Sequence, residues 1–246
     1  MADTSMPLTA HLAELRVRLI WCGLALAVGF GVCYGFSRTI VASLQHPVVL
    51  IGPPMTVPLQ IIAPAEAFMT SIKVGLIAGL FLVLPFMLYQ LWQFVAPGLL
   101  EHERKYTVPF LVGSTALFYG GGIMFYGILP YLLNFLLSFA QGDIKAQLSV
   151  GYYVTFCIRL MIAFGLVFQL PMVVIFLTQL GLVSSRMMVQ YMRHAVVLIV
   201  ILAAIITPST DPLSLLFMVL PMLVLYCCSI LAAKGIERRQ SARLSQ

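Results

Sequence analysis

Long uncharged apolar runs, each bounded by short clusters of charge, proline or aromatic residues, dominate the chain. Residues 19–36 form the first, and about 18 apolar residues are enough to cross hydrocarbon as a helix. Ahead of it, HLAELRVRL places His11, Leu12, Leu15 and Leu19 at helical spacing with Glu14, Arg16 and Arg18 among them, so residues 1–18 read as a polar interfacial lead-in. The run is longer than the roughly 7–15 residues of a cleaved leader and no A-x-A site closes it, which predicts a retained first span. Residues 37–67 are interrupted by Pro47, Pro53, Pro54, Pro58 and Pro64. Proline blocks helix interiors and sheet ladders, so an irregular external loop with short helical pieces at most is expected.

Residues 74–96 form the second span, with a kink expected at Pro85. The third apolar stretch starts near Pro109 and passes Pro130 to Gln141. It exceeds what a bilayer of about 30 Å requires, and must tilt, break or project. Within it, Gly120, Gly121 and Gly122 either admit a neighbouring backbone or weaken the helix. Residues 160–180 form a fourth span with Gln169 and Pro171 near its middle. A fifth run at 195–206 is short and ends at Thr207-Pro208-Ser209-Thr210-Asp211-Pro212; residues 213–233 form the sixth. The uncharged stretch around the fifth supplies about 14 residues, roughly 21 Å of helix, so the membrane is expected to thin beside it. The pattern predicts an all-α, polytopic integral membrane protein. Its single six-helix domain over 1–246 ends in a basic tail at 234–246.

Composition agrees. The chain is 61% hydrophobic and 9% charged, far from the balance of a soluble domain. The net charge of +6 would suggest nucleic acid in a soluble protein, but these basic residues lie between apolar runs, where they set topology. With the N-terminus inside, ten Lys or Arg face the cytoplasm, against Arg38, Lys73, Lys145 and Arg159 outside, so both termini are assigned to the cytoplasm. The five cysteines lie in or near apolar segments without metal-ligand spacing, which indicates packing. Neither a Walker A sequence, H-E-x-x-H nor G-x-S-x-G occurs. No cofactor, metal site or catalytic residue is indicated.

Candidate chemistry concentrates in YQLWQFVAPGLLEHERKY at residues 89–106. Trp92 and Phe94 end an apolar run, Pro97-Gly98 follows, and then Glu101, His102, Glu103, Arg104 and Lys105. Aromatic residues followed at once by charge mark a helix leaving the bilayer. Its carboxylates either form a pocket for a basic ligand, since guanidinium pairs bidentately with carboxylate, or belong to a solvated loop whose charges pair with each other.

Five pieces in order, HLAELRVRL, APAEAFMTSIKVGL at 63–76, PFMLYQLWQFVAPGLLEHERK at 85–105, AFGLVFQLP at 163–171 and TPSTDPLS at 207–214, resemble the TatC subunit of the twin-arginine protein translocase. The resemblance implies a receptor in the cytoplasmic membrane that recognises the paired arginines of a signal peptide on folded cargo. It further implies assembly with single-span TatA- and TatB-like subunits and with other copies of itself, and transport driven by the proton-motive force. The family's recognition residues fall on Glu14 and Glu103, with Phe94 beside them. Arg16 and Arg18 then set topology or hold the cytoplasmic carboxylates in place. Pro47, Glu66 and Asp211 are given structural or capping roles. Where the family commonly has a glutamate in the fourth span, this chain has Gln169, an amide that keeps hydrogen bonding and gives up titration. The competing reading is a six-helix transporter of small solutes or ions, disfavoured because the span interiors contain almost no ionisable residues; an intramembrane enzyme ranks last.

Overall fold

The structure, a computed structural model, describes residues 8–49, 59–95, 107–139, 147–207 and 212–244. Helix α1 spans Leu8–Gly35, α2 Ser37–Val49, α3 Glu66–Val95, α4 Thr107–Ser138, α5 Val150–Val167, α6 Leu170–Gln179, α7 Ser185–Gln190, α8 Met192–Ile206 and α9 Pro212–Leu244. Two short strands, β1 (Leu59–Gln60) and β2 (Leu148–Ser149), pair in parallel, Leu59 opposite Leu148. Among the described residues, five apolar helical stretches are long enough to cross a membrane, the fourth combining α5 and α6, and α8 is a shorter sixth.

Three elements differ from the sequence pattern. Residues 37–49 of the proline-rich loop form a 13-residue helix. The ten residues before Pro47 contain no proline, and Pro47 lies in the last turn, where its missing N–H costs a single bond, to the Ser43 carbonyl. The fourth span is two helices: α5 stops at Val167 and α6 begins at Leu170, because Pro171 lacks the N–H that would bond the Val167 carbonyl. The basic tail extends α9 as helix to Leu244, where alanine, lysine, glutamate, arginine and glutamine are good helix formers. The third stretch is one 32-residue helix through Pro130.

The described residues group into two compact units. In the first, residues 1–44 and 61–115, α1 packs along α3. Lipid tails are as apolar as leucine, so helices in a membrane attach by close packing, which small residues permit. A Cβ built on Gly79 would stand 2.6 Å from the Phe30 nitrogen and 2.7 Å from the Gly29 carbonyl carbon, and one on Gly29 would stand 2.9 Å from the Gly79 oxygen. The two backbones cross at this pair with no room for a side chain. Glu66 opens α3, its carboxylate accepting from the amides of Ile62 (2.7 Å) and Ala63 (3.2 Å) in the turn before it.

In the second unit, residues 45–60 and 116–246, α6, α7 and α8 each pack on α9. Here Gly121 faces the Phe164 carbonyl and Gly165 faces the Phe118 ring, so the glycine run of α4 does admit a neighbouring backbone. Phe125, Leu129, Val154, Cys157, Leu160 and Met222 are nearly or fully buried. α6 ends in a Schellman turn, with Leu182 N–H donating to Leu177 O and Gly181 N–H to Thr178 O, Gly181 taking φ 71°. Glu237 of α9 then accepts from the Ser185 amide at 2.6 Å and from its hydroxyl, and the Tyr226 hydroxyl donates to Met188 O at 2.9 Å, tying α7 to α9.

Gly79→Val should destabilise the purified protein by about 1–3 kcal/mol, the usual cost of overpacking, whereas Gly31→Val, with nothing within 4 Å of its Cβ position, should be neutral; thermal unfolding in detergent measures both. The 15 residues of α8 give about 22 Å of helix against a hydrocarbon core of about 30 Å. Spin labels at Arg193 and Ile205, read by accessibility to oxygen and a water-soluble nickel chelate, should therefore place both flanks closer together than a normal bilayer core.

Candidate functional site

The first unit carries a polar cluster where α1 and α3 run side by side. On α1, His11, Glu14 and Arg18 follow at i, i+3 and i+7 and so share one face. On α3, Gln90, Gln93 and Phe94 recur at i, i+3 and i+4 near the C-terminal end. The His11 ring stacks on Phe94, with centroids 4.2 Å apart and planes 17° from parallel. Arg18 donates from Nε to Glu14 Oε1 at 3.1 Å and from Nη2 to the same oxygen. Its Nη1 reaches across to α3, where Gln90 O (3.3 Å), Gln90 Oε1 (3.4 Å) and Gln93 Oε1 (3.2 Å) accept. The Gln93 amide in turn donates to the Tyr89 hydroxyl. The ion pair is partly withdrawn from solvent, with 16% of the Arg18 side chain and 25% of the Glu14 side chain exposed. Arg16, two residues away, is exposed.

Behind Phe94, Trp92 is buried and stacks on Phe110 of α4, with centroids 4.8 Å apart. The end of α3 is thus anchored on one side by a ring stack and presents its amides and Phe94 on the other. A cation suits this end, because the C-terminal carbonyls of a helix carry partial negative charge.

Of the residues expected to act, the structure brings Glu14 and Phe94 into this cluster. Glu103 lies outside the described residues, as do Glu101 and Asp211. Pro47 is buried in the last turn of α2. Gln169 is half-buried in the break between α5 and α6. Its amide donates to Leu166 O at 3.0 Å and its carbonyl accepts from Val173 N–H at 3.1 Å, which keeps both of its backbone groups satisfied through the break. Of the two roles open to Arg18, holding a carboxylate is the one seen. His11, Gln90 and Gln93 were not singled out by sequence reasoning. The repeating i, i+3 spacing of polar residues on both helices is a signal for them, but only the packing of α1 on α3 selects these positions.

Among the described residues, five apolar stretches of spanning length with a shorter sixth define a multi-pass membrane protein, here with a Glu14–Arg18 ion pair where two of its helices meet. The chain belongs to the TatC family: a family model described as Sec-independent protein translocase protein (TatC) matches residues 10–221. It is 35% identical to Sec-independent protein translocase protein TatC of Koribacter versatilis, over 98% of this chain and 92% of that one. Against the protein of the same description from Magnetococcus marinus the identity is 39%, over 97% of this chain and 88% of the relative. The crystal structure of a twin arginine translocase receptor, TatC, superposes with a TM-score of 0.80 at 33% identity, covering 92% of this chain and 99% of that chain. These relationships favour a translocase component over a solute transporter.

Proposed function

We propose that this protein is the signal-peptide receptor of a twin-arginine translocase, and that Glu14 with Phe94 forms one half of the surface that reads paired arginines. The observation that carries the reading is that Glu14 already holds a guanidinium, in a cluster that flanks the carboxylate with amide acceptors and an aromatic face. Arginine pairs cannot be read by an apolar surface; they need fixed carboxylates and favour stacking on rings. Glu103, in the segment that follows α3, supplies the second carboxylate. The protein works by binding, without covalent chemistry, in the cytoplasmic membrane with both termini inside, as the distribution of basic residues requires. It acts with TatA- and TatB-like single-span subunits and further copies of itself, and the proton-motive force drives transport. The short α8, beside which the bilayer thins, suits partner helices of similar length.

Glu103→Gln should weaken binding of an Arg-Arg signal peptide by about 1.5–3 kcal/mol, the range for a hydrogen bond to a charged group. Unchanged binding by a properly inserted Glu14→Gln, Glu103→Gln double variant, in a titration with labelled peptide, would end the reading.

Gln169 is assigned polarity within the membrane rather than proton exchange. An amide donates and accepts at once and has no charge to desolvate, so it holds a polar partner at much lower cost than an ionised carboxylate. Gln169→Glu should be tolerated and Gln169→Leu should lower cargo export at normal membrane abundance and normal peptide binding; wild-type export by the leucine variant would leave Gln169 a packing residue.

A further inference from the structure

We infer that Arg18 is an internal occupant of the arginine site, holding the Glu14 carboxylate while no signal peptide is bound and passing to α3 when a ligand arginine arrives. The inference rests on the reading of Glu14 as a recognition residue, and adds what sets the strength of that recognition.

The guanidinium of Arg18 faces two sets of acceptors at once. Nε and Nη2 converge on Glu14 Oε1, while Nη1 is within reach of the Gln90 carbonyl and of the side-chain oxygens of Gln90 and Gln93. It can therefore lose the first set and keep the second. Without α3, displacing Arg18 from Glu14 would leave a partly buried cation without a partner, and such a charge is costly. With the glutamines and a helix C-terminal end beside it, the displaced guanidinium stays bonded.

The charge balance makes the contact matter. Glu14 and Arg18 together carry no net charge, so an arriving cation meets a neutralised pair instead of an anion, and its attraction over distance is weak. Binding at Glu14 is an exchange of one guanidinium for another, conserving the number of charge-assisted bonds there. An exchange of this kind lowers the affinity of every ligand that displaces Arg18 by the same factor. A ligand arginine reproduces the forked N–H pair that Arg18 gives up, whereas a lysine ammonium is a compact, strongly hydrated point charge that does not. Discrimination therefore stays with the contacts to the ligand, and the internal competitor sets the affinity.

The test uses the full-length protein in lipid nanodiscs and fluorescent signal peptides bearing Arg-Arg or Lys-Lys, titrated by anisotropy. Removing the competitor with Arg18→Gln should tighten Arg-Arg binding by about 2- to 5-fold, the equivalent of an ion pair at a partly exposed surface, and tighten Lys-Lys binding by the same factor, leaving the preference between them unchanged. Gln90→Leu combined with Gln93→Leu should act in the opposite direction, weakening Arg-Arg binding because Arg18 has lost its alternative acceptors. Damage to the fold weakens binding in every variant, so only a displaceable Arg18 yields the two signs. Arg18→Met provides a second neutral variant. Equal or weaker Arg-Arg binding in both neutral variants overturns the inference. If Glu14→Gln loses affinity in the same assay, that outcome leaves the recognition role of Glu14 standing; if Glu14→Gln binds as the parent does, the recognition role itself falls.

Discussion

A peptide group inside hydrocarbon finds no water to bond, and the architecture follows from that constraint. Each apolar run must satisfy its own backbone, which leaves helix as the form for all of them. Hydroxyl groups within the spans follow the same rule: Thr178, Thr207 and Ser229 each donate to the carbonyl four residues back. Among the described residues, the interruption inside a span at residues 168–169 keeps much of its backbone bonded: Phe168 N–H bonds Phe164 O, Gln169 N–H bonds Leu166 O, and Gln169 O accepts from Val173. Pro171 removes the donor that Val167 O would have had, and the tighter Gln169-to-Leu166 bond closes the end of α5.

Once the helices exist, the bilayer offers little to hold them together, because removing apolar surface from lipid gains nothing comparable to removing it from water. Close approach has to supply the attraction through summed dispersion contacts. The Gly29–Gly79 crossing does this in the first unit, and Gly121 and Gly165 against Phe164 and Phe118 do it in the second. The first crossing also sets the site. Glu14 lies 15 residues from Gly29, roughly 22 Å along the helix at 1.5 Å per residue, so a small change in crossing angle there swings α1 away from Gln90, Gln93 and Phe94. Packing along the spans and the geometry of the polar cluster are therefore mechanically linked.

At the surface the balance of forces changes. Water lowers the value of each ion pair and salt screens it further, so holding the Glu14–Arg18 pair needs geometry as well as charge. The cluster supplies it through partial burial, a stacked ring pair and amides on the facing helix.

The sequence by itself determined the helical class, the number of apolar runs, the shortness of α8 and the sidedness implied by ten basic residues, because length, hydropathy and charge act locally and additively. It also pointed to Glu14 and Phe94 through quoted motifs. What only the tertiary structure decided is which residues meet. Short helical pieces are expected within 37–67, but the 13-residue length of the helix over 37–49 is missed because a count of prolines overlooks their uneven spacing, and the break at Val167 is missed because a hydropathy run does not register a single missing donor. Arg18 could be read as a topology signal or as a partner to a carboxylate from sequence alone. The pair with Glu14 is local to one turn of α1, but the contacts of Arg18 with Gln90 and Gln93 and the stack of His11 on Phe94 depend on α1 and α3 lying in contact in one register, and that register is set by glycines far along the chain from the charges they align.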